Sequence, residues 1–155
     1  MTQLFAVFST LAGPDGNGIL NPFDPGAGGI GGGTTTSDNG LHLCTGAVLP
    51  PDKQATDLEV LVMAVQGTTG NPPAAVWRAR VGATAIRNGN VVTLHGSSMS
   101  ADVRASAALS ALKAEIVVDS SVSPNVLAVQ VKGINAAPSV TWSWRTLFPF
   151  SLGSN

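Results

Sequence analysis

The run Val140-Thr141-Trp142-Ser143-Trp144-Arg145 places its apolar side chains at even positions and its polar ones at odd positions. Only an extended strand, whose successive side chains point to opposite faces, turns that spacing into one buried face and one wet face. The two-residue period recurs. Leu112, Ala114, Ile116 and Val118 oppose Lys113, Glu115 and Asp119, while Leu127, Val129 and Val131 oppose Gln130 and Lys132. Between two further apolar runs lies Arg87-Asn88-Gly89-Asn90, where Asn-Gly offers the positive φ values of a type I′ turn. A hairpin is expected there, with Trp77, Ala79, Val81, Ala83 and Ala85 on one face of its first arm. The segment Leu58–Gln66 is apolar on both faces, as befits a central strand or one side of a subunit contact. Short strands punctuated by turns define an all-β, antiparallel β-sandwich or jelly-roll-like body. One stretch fits poorly. Residues 100–116 hold six alanines and have helical propensity, with Ser100 as a plausible N-cap. A loop or short helical turn is expected over roughly 100–109, followed by a strand.

The composition changes near residue 41. Residues 13–40 contain ten glycines and three prolines with only isolated apolar residues, a pattern that cannot build a core of its own. Three parts follow: an extended Gly/Pro-rich N-terminal arm (1–40), a sandwich domain (41–147) and a C-terminal tail (148–155). Within the arm, Gly26-x-Gly28-x-x-Gly31 matches the dinucleotide fingerprint. That chemistry requires a strand before the glycines and a helix after them, and Asn21-Pro22-Phe23-Asp24-Pro25 and Thr34-Thr35-Thr36-Ser37 supply neither. The glycines are better read as backbone packed closely against a neighbour, since glycine tolerates close approach.

Charge narrows the function. Charged residues make up 11% of the chain, against about 25% in ordinary soluble domains, so much of the surface is expected to lie inside an assembly. The net charge of −1 argues against a nucleic-acid partner. No Lys or Arg precedes Lys53, so residues 1–52 carry four acids (Asp15, Asp24, Asp38, Asp52) and no base, beside a mildly basic body. The apolar run of MTQLFAVFSTLAG has no basic residues before it, so no signal peptide is expected, and no apolar run is long enough for a membrane span.

Catalytic constellations are weak throughout. His42 and Cys44 share one face of a strand, but a zinc site needs a third ligand, and His95 is the other histidine. A Cys–His dyad would need the same three residues to converge. Asp15-x-Asn17 lacks the further oxygen ligands of a calcium loop, and the serines at 97, 98 and 100 lie in no nucleophile elbow. The two glutamates, Glu59 and Glu115, make a glycosidase pair improbable on numbers alone. No enzyme, cofactor or metal is expected. Trp77, Trp142 and Trp144 sit among aliphatic neighbours and are expected in the core rather than on a sugar-binding platform.

The order AAVWRARVGATAIRNGNVVTLHGS, LKAEIVVDSS and VLAVQVKGINAAPSVTWSWRTL resembles β-sandwich modules of tailed-bacteriophage virion proteins over about residues 57–147. The shared features are a Trp-bearing strand, an Asn-Gly hairpin, a VTL-x-G strand and a closing L-x-V-x-V-x-G and V-x-W pair. The resemblance implies a capsid decoration (cement) or head-fibre protein, commonly a homotrimer, whose partner is the major capsid protein and whose place is the virion. Leu4, Phe5, Val7, Phe8 and Phe23 in the arm, with Phe148 and Phe150 in the tail, are then the expected assembly contacts. Similar modules in tail fibres and baseplates imply the alternative, an adaptor that binds a host surface glycan. Exposed tryptophans beside Asn or Asp would favour that alternative.

Overall fold

A computed structural model describes residues 31–154, with the backbone alone described for Ser97, Met99, Phe148 and Pro149. Among the described residues there are eight strands and one short turn of 3₁₀ helix: β1 (Gly31–Thr36), β2 (Leu41–Val48), β3 (Gln54–Gln66), β4 (Ala75–Asn88), β5 (Val91–Ala105), a 3₁₀ turn (Ala107–Leu109), β6 (Lys113–Asp119), β7 (Val126–Lys132) and β8 (Val140–Gly153). They form two antiparallel sheets, one ordered β1-β8-β3-β4-β5 and the other β2-β7-β6. The fold is an all-β sandwich. Among the described residues, no helix is long and apolar enough to cross a membrane.

The two-residue period explains the layering. Leu58, Val60, Val62 and Ala64 of β3 are buried beside Trp77, Ala79, Val81 and Ala85 of β4 and Val140, Trp142 and Trp144 of β8. They meet Ala114 and Ile116 of β6 and Leu127, Val129 and Val131 of β7 to form one core between the sheets. Leu58–Gln66 is a central strand, third of five, which accounts for apolar residues on both its faces. The indoles of Trp77 and Trp142 meet edge to face, 5.5 Å between centroids.

Side chains bridge the two sheets at both lateral margins of the sandwich. On one side β1 lies against β2, and the Thr45 hydroxyl accepts from Gly33 N–H (3.1 Å) and donates to Gly33 C=O (3.0 Å). On the other side β5 lies against β6. There Ser98 accepts from Ile116 N–H (2.8 Å) and Ser100 donates to Ala114 C=O (3.0 Å). The backbone groups of Gly33, Ala114 and Ile116, otherwise free for another strand, are thereby satisfied.

Four expectations need correction. The hairpin joins β4 to β5, but Asn88 pairs with Val91, so the turn residues are Gly89 and Asn90. Gly89 alone has a positive φ (62°), the pattern of a type II′ turn rather than I′. Asp52 fixes it, its carboxylate accepting from Gly89 N–H at 2.7 Å.

The alanine-rich stretch is also different. β5 continues through Ala105, and the short turn that follows is preceded by Ser106, not Ser100. Pairing with β4 (Val81 with Ser100, Trp77 with Ala105) outweighs the helical propensity of the alanines.

The arm boundary moves too. Residues 31–36 form β1 of this chain's own sandwich, pairing with β8 from Gly31↔Arg145 to Thr36↔Val140. The close approach expected of the glycines is present there, but within the chain. A Cβ on Gly32 would sit 1.7 Å from the Thr45 carbonyl oxygen.

Finally, residues 148–153 are no separate tail. They extend β8 and pair with the first half of β3, from Glu59↔Phe148 to Gln54↔Gly153.

Candidate functional site

A bulge determines what the last stretch of β8 displays. Thr146 pairs with Val60 and Phe148 with Glu59, so Leu147 is an extra residue with no partner of its own on β3. Before the bulge the even-numbered residues of β8 face the core. Beyond it the parity inverts: Ser151 is buried, its hydroxyl 2.8 Å from that of Thr56, while Phe150 and Leu152 are 43% and 64% exposed.

The outer face of the five-stranded sheet can therefore be read in rows across β8, β3, β4 and β5. Leu152, Ala55, Ile86 and Thr93 form one row, and Phe150, Asp57, Thr84 and His95 the next. Arg145, Leu61 and Arg80 lie further along, followed by Ser143, Met63 and Arg78. Exposed apolar groups at Met63, Val76, Ile86, Leu147, Phe150 and Leu152 alternate with a few charges. Those charges are largely paired: Arg80 donates to Glu59 at 2.6 Å, Arg78 to Asp102 at 2.5 Å and Arg104 to Asp102 at 3.2 Å. The Arg104 and Arg78 guanidiniums hold the Asp102 carboxyl below its usual range. Exposed pairs of this kind fix side-chain arrangement more than they stabilise the fold.

The titratable residues singled out in the sequence do not converge. His42 lies on β2, its Nε2 2.8 Å from Asp38 Oδ1, and this contact, with the Gly40 N–H, lowers the Asp38 pKa. Cys44 is buried on the same strand, and burial pushes its thiol up to about 11, the reverse of what a nucleophile or metal ligand requires. His95 is exposed on β5, at the opposite margin of the molecule. Among the described residues, no group of three His, Cys, Asp or Glu side chains is placed to hold a metal.

All three tryptophans are in the core, as their aliphatic neighbours predicted. Two have indole N–H partners that tie β8 to the adjoining margin: Trp142 donates to the Thr36 hydroxyl (2.9 Å) and Trp144 to the Thr45 carbonyl (3.0 Å). Trp77, 1% exposed, has no acceptor for its Nε1–H among the described residues.

Of the expected assembly contacts, Leu4, Phe5, Val7, Phe8 and Phe23 lie outside the described residues. Phe148 is placed by its backbone pairing with Glu59, and Phe150 stands exposed on the outer face. The sequence reading named Leu152 beside Phe150 in an exposed LFPFSL tail but missed Ile86 and Met63, because nothing local to β3 or β4 shows which strand lies alongside. No family model, curated protein or solved structure matches the chain.

Proposed function

We propose that the chain is a structural virion protein of a tailed bacteriophage, a trimeric capsid decoration (cement) or head-fibre protein that bridges capsomers of the major capsid protein. The observation that carries this reading is the outer face of the five-stranded sheet. Its exposed Phe150, Leu152, Leu147, Ile86 and Met63 belong to a chain with only 11% charged residues. Apolar groups gathered on one sheet face, with most of the charges beside them paired, suit contact with another protein surface. A cement protein works mechanically, by adding buried area across a junction, and needs a stiff body with a sticky face rather than a reactive pocket. The glycan-binding alternative asked for exposed tryptophans, and burial of all three removes that support.

Light scattering at micromolar concentration is expected to give about three times the 15.6 kDa chain mass. Replacing Phe150 and Leu152 together with Asp should yield a monomer with an unchanged circular dichroism spectrum. A monomeric wild-type chain would overturn the oligomer. Immunogold labelling of virions should mark heads; labelling of tail tips, or of no virion structure, would overturn the assignment to the capsid.

A further inference from the structure

The closure of β5 on β6 is incomplete. Beside the Ser98 and Ser100 bonds lies a cleft of about 370 Å³, within the usual size range of small-ligand sites. Its buried wall is Trp77, Leu112 and Ala114, and its exposed rim includes Val103, Leu41, Lys113 and Lys132.

Two features of this cleft lack a partner among the described residues. The first is the indole of Trp77. The other two tryptophans donate their N–H groups to threonine oxygens, whereas Trp77 Nε1–H finds no acceptor among the described residues. A buried donor without a partner costs about 1–3 kcal/mol; Nε1 is closed to solvent as the cleft stands, so an oxygen recovers that cost once the lining side chains give way to admit it. The second is the lysine pair. Lys113 and Lys132 stand directly opposite each other on β6 and β7, and neither forms an ion pair among the described residues. Like charges facing each other across strands repel. The Glu115 carboxylate is the one acid on the rim, so the lysines leave it positive, and the remaining polar group is the Gln130 amide.

We infer that this cleft binds a small apolar carboxylate, an alkyl or aryl acid. Its hydrocarbon would lie on Leu112, Val103 and Leu41, its negative charge would be shared by Lys113 and Lys132, and an oxygen would accept from the Trp77 indole. No other simple class supplies all three features. A neutral alcohol leaves the lysines unpaired, and an inorganic anion leaves the apolar wall wet. The site is independent of the outer sheet face on which the virion reading rests.

The test uses the full chain labelled with ¹⁵N, titrated separately with sodium octanoate and with 1-octanol. The Trp77 indole resonance is identified as the signal missing from Trp77→Phe or, if that variant does not fold, by conventional assignment of the wild type. Octanoate is expected to shift this resonance saturably, and octanol to bind at least tenfold more weakly. In the Lys113→Ala/Lys132→Ala variant the preference for octanoate should vanish, with circular dichroism unchanged. An indole signal that ignores octanoate, equal affinity for the two probes, or a preference that survives loss of both lysines would each overturn the inference.

Discussion

Cys44 shows how one buried atom records the state of the whole fold. Its thiol ionises near 9 when free of the fold and near about 11 when buried, because the packed interior disfavours the thiolate. Below pH 9 the thiol is neutral in both states and the contribution of its burial is intact. As pH rises towards 11 the unfolded chain loses a proton that the folded chain keeps, so stability falls, by roughly 2–3 kcal/mol for a shift of this size. Urea midpoints measured from pH 8 to 11 should therefore decline more in the wild type than in Cys44→Ala. Parallel declines would show that the thiol does not report burial. Cys44 was legible in the sequence as a buried strand residue, because a lone thiol among apolar residues is usually core. The Thr45 bonds to Gly33 were not legible. They depend on β1 meeting β2 across the margin, and nothing local to HLCTGAV announces that neighbour.

At the scale of the element, β8 is the informative strand. Its first half, with Val140, Trp142 and Trp144 inward, could be read directly from the alternation. Its second half could not, since parity inverts at a residue with no partner. Removing Leu147 should therefore be tolerated. Thr146 would still pair with Val60 and Phe148 with Glu59, leaving Phe150 outside and stability within about 1 kcal/mol of wild type. Deleting Ser143 should be far worse, because Trp142 and Trp144 would become adjacent and one would be turned out of the core, at more than about 3 kcal/mol. Denaturation of the two deletion variants decides the matter, and similar losses in both would refute the bulge account. The same logic explains the misread alanine stretch. Six alanines favour a helix locally, but a ladder with β4 and the Ser100 bond to β6 hold residues 100–105 extended, and only Ala107–Leu109 turns helically. Propensity is visible in a sequence, whereas the partner strand that overrides it is not.

At the scale of the molecule, the sandwich already includes the end of the glycine run. Gly31–Thr36 is a strand of the sandwich, and Thr36 receives the Trp142 indole N–H. A chain lacking residues 2–30 should unfold cooperatively, with stability close to that of the full chain. Removal of residues 2–40 should cost at least about 3 kcal/mol, since it strips a paired strand and leaves a buried donor without an acceptor. Equal stability of the two truncations, measured by urea unfolding, would make β1 dispensable. The composition break at residue 41 was a true signal of changing chemistry but a poor marker of the fold's edge. Glycine weakens a strand's signature in the sequence even where close packing demands glycine. The margins bridged by Thr45, Ser98 and Ser100 carry a further consequence. Sheets with open rims invite endless recruitment, each copy templating the next into a filament. Here three hydroxyls occupy backbone groups of Gly33, Ala114 and Ile116 that a recruited strand would need, so edge-to-edge templating is blocked at those positions.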